Sequence, residues 1–280
     1  MNDIIPTQTV LVLLYGKDIM KFCTLFSGSS GNCTFIEYGD TRILVDAGKN
    51  VKTIRTALQK IGYDLSDIDV ILLTHAHSDH VGALKVLANR YSTAIMGTFG
   101  TLDHVLDTCG DVMPSRLTLI DTDSIYKIGD ISVNVFSTPH DIEGSVGYSF
   151  SADGKRLTIA TDMGYVTDGT YEIMKKSDFV IIESNYDTYM LENGPYPPNL
   201  VARIKSSKGH LSNEDCAKTI CRLVTDGVCH FMLAHLSVNN NTKELAMNET
   251  IRKLISQGVK PGEVTVDIAP RDETGRMFVI

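Results

Sequence analysis

The run Thr74-His75-Ala76-His77-Ser78-Asp79-His80 constrains this chain more than any other stretch. It follows four apolar residues, Val70-Ile71-Leu72-Leu73, and precedes a helical pattern that starts at Val81. The segment therefore reads as the turn from a buried strand into a helix. Four side chains able to bind a metal fall within six positions, His75 to His80. Imidazole nitrogen and carboxylate oxygen together suit zinc, and also manganese or iron. His75 and His77, two apart on an extended turn, can point the same way. Asp79 and His80 enter from the start of the helix, so one short segment can serve two metal positions. A histidine-rich surface turn is the plainer reading, and the density of donors at a strand end argues against it.

The chain has 280 residues, 43% of them hydrophobic, ample for a large core. Lys plus Arg is 26 and Asp plus Glu is 34, a net charge of −8. That balance announces no broad nucleic-acid surface, although bound dications and a local basic patch can still hold phosphates. The six cysteines, Cys23, Cys33, Cys109, Cys216, Cys221 and Cys229, form no Cys-x-x-Cys pair. They read as reduced thiols of a cytoplasmic protein. Cys23 and Cys33 flank one loop and are expected to be unbonded. Residues 9–15 are the only strongly apolar run near the start, too short to span a bilayer. Asn2 and Asp3 lack the positive charge of a signal peptide, so no membrane partner is expected. Residues 1–19 read as an N-terminal extension, either an extra strand or an over-long start. Residues 20–280 read as one domain.

Strand patterns cover residues 21–26, 33–38 and 41–46, with a glycine-rich loop at 27–32 and a Gly39-Asp40 turn. A helix is expected over 51–61, the histidine-bearing strand over 70–73, and a helix from there to Arg90. Further strands are expected at 93–96, 117–120, 124–127 and 131–137, and a helix with an exposed His104 at 98–109. A hairpin joins 146–150 to 156–161 through Asp153-Gly154. A strand over 179–182 ends at Glu183. Residues 184–198 read as a long loop carrying Tyr186, Tyr189 and Tyr196. A short helix follows at 199–206, and Ser212 caps a helix over 213–224. A strand over 231–233 ends at His235, a helix covers 242–256, and a strand over 263–267 closes the chain. Meander first and alternation later predict an α/β chain with two sheets, each covered by helices: a four-layer αββα sandwich.

His140, Asp162 and His235 each end a strand pattern, as does Asp46. Each alone also reads as a turn former or a satisfied histidine. Their shared position matters, because loops beyond one sheet edge converge. In chain order Asp46, then His75, His77, Asp79 and His80, then His140, Asp162 and His235 resemble the five motifs of the metallo-β-lactamase superfamily. That resemblance spans 20–267 and implies the αββα metallo-β-lactamase fold with two divalent metal ions, zinc or manganese with iron as an alternative. It implies that His75, His77 and His140 hold one ion and Asp79, His80 and His235 the other. Asp162 would bridge them, and Asp46 would orient a ligand from behind. Such a pair of ions activates a bridging water as nucleophile.

The segments Lys208-Gly209-His210-Leu211-Ser212 and Leu233-Ala234-His235-Leu236-Ser237 are similar to elements of transfer-RNA 3′-processing nucleases of this superfamily. The Ser27–Asn32 loop, Glu183-Ser184-Asn185-Tyr186-Asp187 and the Ala-His-Leu-Ser ending resemble the bacterial YycJ/WalJ group, regarded as exonuclease-like. No long insertion supplies an RNA-binding arm or a second nuclease domain. The resemblance implies a phosphodiesterase acting on nucleic acid, DNA before RNA. Asp79 and Asp162 would serve catalysis at the metals, and His210, oriented by Glu183, would donate a proton to the leaving oxygen. Ser27, Ser29, Asn32 and Ser237 are candidate substrate contacts. The glycine-rich loop either meets a phosphate with its backbone amides or is a plain flexible turn. Arg203, Lys205 and Lys208 form either a groove for a polyanion or a solvated helix face. The rival readings are a hydrolase of a small thioester, lactone, β-lactam or RNA substrate, and a non-hydrolytic di-iron protein. Flavodiiron relatives carry Glu where His77 stands.

Overall fold

A computed structural model describes residues 19–91, 93–109, 112 and 114–280. The expected extension at 1–19, with its apolar run at 9–15, lies outside the described residues except for Ile19. Two seven-stranded sheets face each other. The first contains β1 (Lys21–Phe26), β2 (Cys33–Tyr38), β3 (Thr41–Val45), β4 (Val70–Leu72), β5 (Ala94–Gly97) and β6 (Leu117–Leu119). The second contains β7 (Ile125–Ile128), β8 (Ile131–Ser137), β9 (Val146–Ala152), β10 (Lys155–Ala160), β11 (Phe179–Glu183), β12 (His230–Ala234) and β13 (Thr265–Ile268). A last strand, β14 (Phe278–Val279), returns to the first sheet, whose order is β14-β1-β2-β3-β4-β5-β6. The second sheet runs β7 to β13 in sequence order.

Each sheet starts as an antiparallel meander and continues parallel. The parallel steps need crossovers, and helices supply them. In the first sheet these are α1 (Val51–Lys60), α2 (Ser78–Val81), α3 (Leu84–Arg90) and α4 (Phe99–Cys109). In the second they are α5 (Asp168–Met174), α6 (Thr188–Asn193), α7 (Pro198–Ile204), α8 (Asn213–Thr225) and α9 (Lys243–Ser256).

Period-2 geometry sends alternate side chains to opposite faces, and here both faces of each sheet are buried. Phe22, Ile43 and Val45 pack against Tyr148, Ile159 and Ile181 between the sheets. Leu25 and Leu44 face Ile54, Leu58 and Leu84 on the outer helices. Val180 and Ile182 face Cys216 and Ile220 on the other side. This is the αββα sandwich.

Three local expectations need correction. Residues 184–198 are not one loop: α6 sits inside them, capped by the Asp187 carboxylate, which accepts from the Met190 amide at 2.8 Å. The chain does not close at 263–267, because Phe278 returns to stack on Phe22 at 5.1 Å between ring centres. The helix after the histidines is two pieces, α2 and α3, broken at Gly82. A Cβ there would come within 2.7 Å of the Gly48 carbonyl oxygen. The Asp153-Gly154 turn has φ of 47° and 74°, which suits a tight hairpin.

Candidate metal centre

The carboxyl ends of the parallel strands, with the end of β8, meet at one edge, and the candidate residues stand just beyond them. Asp46 follows β3, the His75–His80 run follows β4, His140 follows β8, Asp162 follows β10 and His235 follows β12. Asp46, Asp162 and His235 have φ of 60°, 57° and 56°. Side chains disfavour this left-handed region, at about 1–3 kcal/mol each, and such residues persist where their surroundings fix them.

Among the described residues four overlapping donor groups form; two are the expected sets, and a third brings His210 and Glu183 together with Asp162 and His235. His75 Nε2 lies 3.1 Å from His77 Nδ1, and His140 Nε2 lies 3.3 Å from the same atom. Tetrahedral zinc with bonds of about 2.0–2.1 Å spaces its nitrogen ligands by about 3.3 Å, so these atoms already stand near the edges of such a site. In the second group Asp79 Oδ2 lies 3.5 Å from His80 Nε2 and 3.8 Å from His235 Nε2. Asp162 Oδ2 lies 3.7 Å from His80 Nε2, and His75, His80 and Asp162 form a further donor group that joins the two. Buried Asp162 Oδ2 and His235 Nε2 have no hydrogen-bond partner among the described residues. A buried carboxylate oxygen and ring nitrogen left this way are unfavourable unless a cation takes them. The donor set fits a pair of divalent ions.

The ligand rings are braced from behind. His80 Nδ1 donates to Asp46 Oδ2 at 2.8 Å, and Asp46 also accepts from the Thr74 amide and hydroxyl, each at 2.8 Å. Glu183 is fully buried. Its Oε1 accepts from Nδ1 of His235 and of His210, each at 2.8 Å. Its Oε2 accepts from the amides of Met163 and Leu211, each at 3.0 Å. These bonds set the tautomers and leave Nε2 of His80, His235 and His210 free of them. His140 Nδ1 lies 3.2 Å from the Gly209 carbonyl.

Burial, then the neighbouring histidines, holds His75 well below its ordinary pKa. His77 is lowered for the same reasons, burial and then His140. Burial also works against a charged His80, but the carboxylates of Asp46 and Asp162 outweigh it and raise the ring to about 10. His235 is raised well above its ordinary value against burial, by the neighbouring carboxylates of Asp162, Asp79 and Glu183, the last hydrogen-bonded to its Nδ1. Burial opposes ionisation of Asp79 and Glu183, yet their histidine partners hold both below the usual carboxylate range. Burial and the neighbouring rings thus favour neutral His75 and His77, whereas the carboxylates around His80 and His235 favour their protonated forms.

The candidate substrate contacts divide. The Ser27 hydroxyl is buried and accepts from the His235 amide at 2.8 Å. Asn32 Nδ2 reaches His80 Nε2 at 2.9 Å and Asp79 Oδ2 at 3.2 Å. Both residues therefore touch the candidate ligands themselves. The amides of Gly28, Gly31 and Asn32 donate to Asn32 Oδ1, the Gly28 carbonyl and the Asp79 carbonyl, so they turn inward rather than towards a phosphate. Ser29 and Ser237 line a cavity that also holds His210. Arg203 pairs with Asp141 and Lys205 with Glu192. Tyr186 is buried, Tyr189 is exposed, and Tyr196 is half-buried. His104 is exposed on α4, away from the ligands.

Sequence reasoning missed three residues at the site. Thr74 supports Asp46 and lies 3.0 Å from His75 Nδ1. Asn185 Nδ2 donates to the His235 carbonyl at 2.8 Å. Asp141 Oδ1 lies 3.6 Å from His77 Nε2 and 3.5 Å from His140 Nε2. Adjacency to His75 and His140 was the available signal for Thr74 and Asp141, and for Asn185 it was its place in the Glu183–Asp187 segment.

The family described as Beta-lactamase superfamily domain matches residues 41–235. The chain is 34% identical to exodeoxyribonuclease YycJ of Bacillus anthracis over 247 residues, 87% of this chain and 92% of that one. It is 36% identical to exodeoxyribonuclease WalJ of Streptococcus pneumoniae serotype 2 over 236 residues, 84% of this chain and 88% of that one. Among solved structures, Zn(2+)-bound PqqB from Methylobacterium extorquens superposes with a TM-score of 0.71 at 16% identity, over 92% of this chain and 99% of that one. That last likeness is one of fold. With the matching family across most of the chain and the donor cluster at its strand ends, the chain belongs to the metallo-β-lactamase superfamily, as a metal-dependent hydrolase of the YycJ/WalJ group.

Proposed function

We propose that the protein is a dinuclear metal-dependent phosphodiesterase that digests DNA from an end. The observation that carries this reading is the His210–Glu183 hydrogen bond, 2.8 Å, beside the two donor groups. A thiolate leaves a thioester unaided, whereas an alkoxide leaving phosphorus needs a proton. A histidine that is no member of either three-residue ligand set answers that need. The two relatives named exodeoxyribonucleases support the choice of DNA.

In this reading His75, His77 and His140 hold one ion, Asp79, His80 and His235 the other, and Asp162 both. Divalent zinc or manganese bound there lowers the pKa of water and offsets charge on phosphodiester oxygens. Asp46 and Glu183 keep His80 and His235 in the tautomers that face the ions. His210, with Nδ1 held by Glu183, presents Nε2 to the leaving oxygen as its proton donor. Ser29 and Ser237 meet the substrate from the cavity wall. The reading includes a cytoplasmic location, supported by the free thiols of Cys23, Cys33, Cys216, Cys221 and Cys229.

The test is the purified protein, loaded with zinc or manganese, on end-labelled single- and double-stranded DNA and RNA and on a chromogenic cephalosporin. The expected result is release of short products from DNA ends with the cephalosporin left intact. Cephalosporin turnover with inert DNA would overturn the proposal.

A further inference from the structure

The seven residues of α7 include none that is buried. Leu200 and Ile204, four apart and so on one face of the helix, line the cavity that holds His210. The Tyr196 side chain lines it too, its hydroxyl accepting from Asn239 Nδ2 at 2.9 Å. An apolar helix face and a fixed aromatic ring thus border open space instead of core. Two buried polar side chains complete the wall, Asn185 and Ser237. Asn185 Nδ2 is engaged by the His235 carbonyl, which leaves its Oδ1 as an acceptor. Ser237 Oγ accepts from the Asn240 amide, which leaves its own hydrogen to donate.

The cavity is no phosphate site. Its one guanidinium, Arg203, is paired with Asp141. A purely apolar guest would leave Asn185 and Ser237 without partners. An apolar helix face and an aromatic ring beside the buried acceptor of Asn185 and the buried donor of Ser237 fit a flat, neutral, hydrogen-bonding ring, with Ser29, Asp141 and His210 at the same wall. We propose that this cavity is a nucleobase subsite, seating the base of the nucleotide whose oxygen leaves beside His210. The proposal rests on the phosphodiesterase reading and adds that the enzyme grips a base as well as phosphates.

The experiment compares single-stranded DNA of one sequence with oligonucleotides abasic at the first or second nucleotide from either end. For wild-type protein, one abasic position should raise KM about tenfold or more, the scale of one stacked base. Tyr196→Ala and Leu200→Ala should raise KM on intact DNA by a similar factor and remove the difference between intact and abasic ends. Tyr196→Phe, which keeps the ring, should retain it. Equal KM for intact and abasic ends in the wild-type protein would overturn the subsite, and that comparison needs no variant to fold. So would variants that slow intact and abasic ends alike. Bis(4-nitrophenyl) phosphate separates the two failures. Its hydrolysis, with indifference to base removal, keeps the phosphodiesterase reading and removes the subsite. Inertness towards it and towards every DNA end removes both.

Discussion

Glu183 gathers four donors on two oxygens, two ring nitrogens on Oε1 and two backbone amides on Oε2. Burial opposes its ionisation, but charge interaction and hydrogen bonding with His210, then with His235, hold it below the usual range. One oxygen therefore orients a ligand, His235, and the proposed proton donor, His210. In the proposed reading this division of labour makes His210 separable from metal binding. His210→Ala should keep both ions and lower kcat on DNA by about 10²–10⁴-fold. An activated nitrophenolate ester, whose leaving group needs little protonation, should recover much of that loss. Metal content and the kcat ratio of the two substrates check this; lost metal, or equal losses on both, would remove the donor role. At this scale the sequence was readable where charge density was high. The His75–His80 run announced a candidate metal site, and the structure brings the strand-end residues Asp46, His140, Asp162 and His235 to it, as their shared position led one to expect. Ser27 and Asn32 show the limit: residue type and loop position do not tell a side chain that meets substrate from one that braces a ligand.

At the scale of elements, three backbones are laced together under Asp79 and His80. The Asn32 amide donates to the Asp79 carbonyl, Ala47 to His80, Gly48 to Asn32, and Ala83 to Ala47, at 2.8–2.9 Å. Gly48 is the point of closest approach, because a Cβ there would fall 1.6 Å from the Asp79 carbonyl oxygen. No rotamer relieves a clash with backbone, so Gly48→Ala must push α2 away from the loop after β3. The expected outcome is a protein that keeps the ion at His75, His77 and His140 and loses the one at Asp79, His80 and His235. Elemental analysis after loading should fall from about two ions per chain to about one, with stability lowered by about 1–3 kcal/mol. Retention of two ions would show that α2 does not fix the second position. Sequence patterns carried the long elements well, since central strands such as β4 and β11 are apolar on both faces and α8 and α9 run for several turns. They failed where an element is too short to show a period. The six residues of α6 are too few to show a period, although their cap Asp187 is local, and the two of β14 are held by Phe22, a contact that no local window contains. The split between α2 and α3 is likewise set by Gly48, far from Gly82 in sequence.

For the whole molecule, the decisive fact is that neither sheet owns the site. The first sheet supplies His75, His77, Asp79 and His80 from beyond β4; the second supplies His140, Asp162 and His235 from beyond β8, β10 and β12. Each ion in the proposed centre ties one sheet to the other, so metal binding is linked to folding. At a hundredfold excess over its dissociation constant, one ion contributes about 2.7 kcal/mol. Chelation should therefore lower Tm by several degrees. The stripped protein should also answer to pH in a definite direction. His80, raised from 6.5 to about 10 by Asp46 and Asp162 against burial, is more basic folded than unfolded. Its protonation supports the metal-free fold fully below the ordinary pKa, and that support is lost as pH rises from about 6.5 through about 10. His235 adds to the trend, being raised as well. A divalent ion must displace these protons, so metal affinity should rise with pH, and uptake near pH 7 should release protons. Calorimetric titration of stripped protein with zinc in buffers of different ionisation enthalpy reads that release directly. A binding enthalpy independent of buffer would mean that His80 and His235 are not protonated in the metal-free site, and the charge assignment drawn from their carboxylate partners would fall.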